Sequence, residues 1–96
     1  MQPKSGHIEL SVIIPTFNEE GNIALLIQRL EATMLGIGCT AYEYIFIDDG
    51  STDQTRQRIR ALLTPRIKLV ELRKNYGQST AMTAGIDYCT GRYITM

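Results

Sequence analysis

Two adjacent carboxylates close an apolar run within residues 44–57, YIFIDDGSTDQTRQ: Asp48 and Asp49, then Gly50, the hydroxyls of Ser51 and Thr52, and a third acid, Asp53. Like charges side by side repel, so the pair calls for a ligand, a metal or open water at the end of a strand. An acid in that place can accept hydrogen bonds from a ribose or a base edge. It can equally cap its own turn and the helix that follows, and the pattern alone leaves both open. A second loop of the same standing is PTFNEEG, residues 15–21, after the apolar run LSVII. With the two strands side by side, both loops open onto one rim.

Other phosphate and acid chemistries are ruled out by spelling. A dinucleotide site needs G-x-G-x-x-G after the first strand, where this chain has PTFNEEG. The G-x-x-x-x-G-K-[ST] phosphate loop is absent. A D-x-D-G-T phosphatase nucleophile is close to IDDGST, but Ile47 stands where the first acid is required. Cys39 and Cys89 lack zinc-ligand spacing and read as ordinary free thiols. His7 is the only histidine and sits in a polar leader, so histidine-based nucleophilic or acid–base schemes are not expected.

The elements that must carry these loops follow from periodicity. Residues 10–14 form a short β-branched run stopped by Pro15, a buried strand. Asn18 is expected to cap a helix opened by Glu19 and Glu20, with Ile23, Leu26, Ile27, Leu30 and Met34 on its inner face and Gly36 and Gly38 at its end. Residues 42–47 give the second strand. Ser51 and Gln54 fit a capping box for a second helix whose inward stripe is Thr55, Ile59, Leu62 and Leu63, closed by Pro65. Residues 67–72 form a third strand, and RKNYGQ leads to a helix whose Ala81, Ala84 and Gly85 permit close packing. Gly91 stops that helix, and residues 92–96 begin a fourth strand. The alternation predicts an α/β fold, a parallel sheet with flanking helices, broken off after about four strands.

Composition bounds the partners. The 96 residues suit one domain, and ten basic against ten acidic residues predict no electrostatic capture of nucleic acid. No apolar stretch reaches the ~20 residues of a membrane span. Residues 1–8 lack a secretory core and read as a flexible leader, so the expected location is cytoplasmic. A sheet that stops on a strand is expected to be the front of a longer protein, and its open edge to self-associate.

The blocks LSVIIPTFNEEGNI, YIFIDDGSTDQT and LRKNYGQSTAMTAGIDYCTGRYI, taken in order, resemble the start of a family 2 glycosyltransferase with a GT-A (Rossmann-like) fold. The likeness runs over residues 8–96, and the third block is similar to the branch of dolichyl-phosphate mannosyltransferase and bacterial polyprenyl-phosphate glycosyltransferases. The resemblance implies that residues 1–96 are the N-terminal nucleotide-binding portion of such a domain. It implies that Pro15, Phe17 and Glu19 line a nucleotide pocket, completed by Ile47 and Asp49, with Asp49 addressing the base. Asp48 is counted with the nucleotide-binding residues, its carboxylate expected to orient the loop, because neighbouring strand residues point to opposite faces. Gly77 would bring the loop after the third strand near the nucleotide or equally serve only its turn; Glu20 and Asp53 read as helix-start charges.

The implied activity is inverting transfer from a UDP- or GDP-linked sugar to a polyprenyl phosphate at the cytoplasmic face of a membrane, with Mg²⁺ or Mn²⁺. The alternatives are a saccharide acceptor in cell-wall or polysaccharide synthesis, and a chain that binds nucleotide without turnover. The family's metal-binding D-x-D follows its fourth strand and has no counterpart before Met96, so no catalytic residue or metal ligand is expected within these residues.

Overall fold

A computed structural model of the chain describes residues 8–95. Apart from Ile8, the expected leader lies outside these residues, as does Met96 of the expected fourth strand. The elements are β1 (Leu10–Thr16), α1 (Ile23–Ile37), β2 (Tyr42–Asp48), α2 (Thr55–Arg60), β3 (Ile67–Glu71), α3 (Gln78–Ile86) and β4 (Tyr93–Thr95). All strands are parallel and ordered β3-β2-β1-β4. The chain therefore moves outward from β1 to β3 and then returns to the other side of β1. Where strand order reverses in this way, the carboxyl ends of the strands part to leave a crevice in which ligands bind.

β2 is buried along its whole length, so it carries apolar residues toward both faces. Tyr42, Tyr44 and Phe46 meet Val12, Ile23, Met34, Ile59 and Ile67 beneath α1 and α2. Ile45 and Ile47 meet Ile13 and Ala81 beneath α3. Each such aromatic or branched side chain contributes about 1.5–3 kcal/mol by leaving water. α3 lies so close to the sheet that a Cβ on Gly85 would stand 2.6 Å from Ile13 Cγ2, which accounts for the small residues on that helix.

Several boundaries differ from expectation. β1 continues through Pro15, paired in register with Ile47. The β4 side of β1 is occupied only along Leu10–Val12, which leaves room beyond it for a residue with no N–H. α1 begins four residues later than expected, with Asn22 rather than Asn18 at its N-cap. Gly36 lies inside the helix and Gly38 alone, at φ 72°, turns the chain out of it. Neither Ser51 nor Gln54 caps α2 through a side chain. α2 is also shorter: Leu62 and Leu63 donate to the carbonyls three residues back, a tighter turn that swings both off the inner stripe and leaves them exposed.

At the amino end of the sheet, under α3, Glu43 is buried as a charge. Its carboxylate accepts from Lys68 Nζ at 2.8 Å, Ser11 Oγ at 2.6 Å and the Thr90 amide at 2.8 Å. Burial alone would raise the Glu43 pKa, but the Lys68, Ser11 and Thr90 bonds outweigh it and hold the carboxyl below its ordinary value. Ser11 Oγ in turn accepts from the Gly91 amide at 2.8 Å, so this network pins the α3–β4 turn to the sheet.

Candidate functional site

The pleat of β2 sends Asp48 and Asp49 to opposite faces, and each carboxylate finds different donors. Asp48 is fully buried on the α2 side. It accepts from the Ser51 amide at 2.9 Å, from Ser51 Oγ at 2.5 Å and from Arg56 Nε at 2.5 Å. Asp49 points toward the loop after β3, where Oδ1 accepts from the Tyr76 amide at 2.7 Å and Oδ2 from the Gly77 amide at 2.9 Å. Two acids that would repel in one site are thus separated, one closing its own turn and one ordering another strand's loop. Gly50 lets these loops approach. At φ 79°, a Cβ there would stand 2.5 Å from the Asn75 nitrogen.

The loop after β1 is stitched to the loop after β2 by backbone donors. Asn18, at φ 53°, donates its amide to Ser51 Oγ at 2.9 Å, and its Oδ1 accepts from the amides of Thr52 at 2.9 Å and Asp53 at 3.3 Å. The Glu19 amide donates to Thr55 Oγ1 at 2.8 Å. Glu20 Oε2 accepts from the Gln54 amide at 3.1 Å, so this expected helix-start charge serves α2 instead of α1. Asp53 sits at the same start. Desolvation works against its charge, yet the Thr55 hydroxyl and amide and the Glu20 amide keep the carboxyl below its ordinary value.

These loops enclose a cleft of about 270 Å³ lined by Pro15, Thr16, Phe17, Glu19, Asp49, Asn75 and Gly77. Of the residues expected there, Pro15, Phe17, Glu19, Asp49 and Gly77 are brought together. Ile47 and Asp48 are not. Asp48 faces α2, on the side opposite Asp49, and Ile47 shares the face of Asp49 but lies two residues deeper, sealed in the core under α3. Thr16 and Asn75 were missed. The signals for them were the continuation of β1 past Pro15 and the polar residue two positions before Gly77. Arg56 was missed as well, its one clue being a cation two residues into a helix that follows an acidic turn. A neighbouring hollow of about 310 Å³ shares Pro15, Thr16 and Glu19 but runs over α1 to Leu25 and Arg29, away from Asp49.

The cleft suits a flat, hydrogen-bonding ring. Phe17 is 42% exposed, an apolar ring available for stacking. Among the described residues each Asp49 oxygen accepts from one backbone amide and retains lone-pair capacity for a ligand N–H or O–H. Among the described residues no three His, Cys, Asp or Glu side chains gather as metal ligands. No helix among them is long and apolar enough to cross a membrane.

The family model for glycosyl transferase family 2 matches residues 11–96. A dodecaprenyl-phosphate galacturonate synthase of Rhizobium johnstonii is 41% identical over 90 residues, which cover 91% of this chain and 26% of that protein. An undecaprenyl-phosphate 4-deoxy-4-formamido-L-arabinose transferase of Pseudomonas aeruginosa is 36% identical over 85 residues, 85% of this chain and 25% of that one. Among solved structures, a mannosyltransferase of Pyrobaculum calidifontis in complex with GDP-Man and Mn²⁺ superposes with a TM-score of 0.73 at 25% identity. The match covers 92% of this chain and 26% of the other. The chain thus spans about a quarter of the length of these relatives.

Proposed function

This chain belongs to glycosyl transferase family 2, and on that premise we propose that it supplies the nucleotide-sugar-binding front of a GT-A enzyme that transfers a sugar, with inversion, to a polyprenyl phosphate. The observation that carries the proposal is the cleft at the carboxyl ends of the strands, between the loops after β1, β2 and β3, where Phe17 and Asp49 converge. Phe17 stacks on the base and Asp49 accepts from its edge, while Gly77 lets the loop backbone approach. Pro15 and Glu19 form the opposite wall. A UDP- or GDP-linked sugar is the donor class, in keeping with the GDP-Man of the mannosyltransferase structure.

The acceptor assignment draws on the two prenyl-phosphate relatives. A phosphate acceptor is already anionic and needs little help from a general base. Mg²⁺ or Mn²⁺ belongs to the whole enzyme, where a divalent ion offsets charge on a departing diphosphate. The described residues do not compose a ligand set for it. Action at the cytoplasmic face of a membrane completes the proposal.

The test is an assay of the full-length protein with UDP- and GDP-sugars, divalent metal and polyprenyl phosphate. A lipid-linked sugar of inverted anomeric configuration is expected. Transfer to a saccharide alone would overturn the acceptor, and absence of transfer or hydrolysis from every donor would overturn the enzyme reading in favour of a binding module.

A further inference from the structure

The loop that forms the far wall of the cleft has no regular element of its own between β3 and α3, yet it presents two adjacent amides to Asp49. Something must set its height above the sheet. Its first residue, Leu72, donates its amide to the Asp48 carbonyl at 2.9 Å and turns its own carbonyl toward Arg56, which donates to it from Nη2. The same guanidinium donates from Nε to the buried Asp48 carboxylate and lies 3.4 Å from Glu71. Arg56 therefore holds the carboxyl ends of β2 and β3 together at the point where the loop departs. Gly50 rests on the Lys74–Asn75 backbone just beyond, so the loop is fixed from both sides.

We infer that Arg56 is a positioning residue of the cleft. Without touching the ligand, it sets the loop of residues 72–77 through Asp48 and the Leu72 carbonyl, and so fixes where Asp49, Asn75 and Gly77 meet a nucleoside diphosphate. This rests on reading the cleft as the nucleotide site. A planar fork serves the carboxylate from Nε and the carbonyl from Nη2 and so holds the two at a set spacing, whereas an ammonium is a compact point charge on a flexible stem.

The experiment uses the full-length protein and its Arg56→Gln and Arg56→Lys variants, with UDP and GDP as probes. In the free protein, the Tyr76 and Gly77 amides should lose the downfield shift of carboxylate-bonded N–H groups in Arg56→Gln and exchange with solvent faster. Affinity for the nucleotide that wild type binds should fall about tenfold, the loss appearing in KM for the sugar nucleotide more than in kcat. Arg56→Lys should lie between the two, and serves if the glutamine variant does not fold. Unmoved amides, or moved amides with unchanged affinity, would overturn the inference. A wild type that binds neither nucleotide overturns the reading of the cleft, and is told apart because the amide signals need no ligand.

Discussion

At the residue scale, Asp48 and Asp49 show how neighbouring identical side chains acquire different work from the alternation of one strand. Asp49 holds two loop amides and faces the cleft, so Asp49→Asn would turn an NH₂ group toward one of those donors and toward any ligand N–H. Loss of a charge-assisted bond of this kind costs roughly 1.5–3 kcal/mol, or about ten- to a hundredfold in nucleotide affinity, measurable by calorimetry on the full-length enzyme. Asp48→Asn instead places an amide among Ser51 and Arg56 in a buried corner. It should lower the melting temperature more than Asp49→Asn does and weaken nucleotide binding less. The reverse order would mean that the two side chains had been assigned to the wrong faces. That Asp48 and Asp49 take opposite faces was legible from strand alternation, whereas the bond of Asp48 to Arg56 was not, because a helix register must be known before a side chain eight positions away can be placed.

At the scale of elements, the Glu43 network joins β1, β2, β3 and the α3–β4 turn through one carboxylate. Since its pKa is lower folded than unfolded, the network stabilises the fold above the ordinary carboxylate range. That stability is lost as pH falls through the folded value. Glu43→Gln should therefore cost roughly 1–3 kcal/mol at neutral pH and flatten the acid limb of the unfolding curve followed by circular dichroism. An acid limb unchanged by the substitution would count against the network. The order of strands and helices was readable from periodicity because buried strands and one-sided helices leave distinct patterns of apolar residues. The caps were misread, since Asn18 and Ser51 look like helix starters locally. They are used instead to bond one loop to another across 33 residues of sequence, a tertiary demand that local propensity does not record.

At the scale of the molecule, β4 is a three-residue edge strand with Tyr93 57% and Ile94 45% exposed. An uncovered apolar edge favours backbone pairing with another chain, so the 96-residue polypeptide taken alone is expected to form dimers or larger species at high concentration. Light scattering that returned a clean monomer would refute this. The placement of β4 also has a bearing on biosynthesis. Its turn reaches β1 through the Gly91–Ser11 bond, which spans 80 residues. At translation rates of about 5–20 residues per second, a nascent β1 waits roughly 4–16 s before that neighbour is even synthesised. During this interval the central strand of the finished sheet is a border strand on the ribosome, and its protection rests on whatever the cell offers to emerging chains.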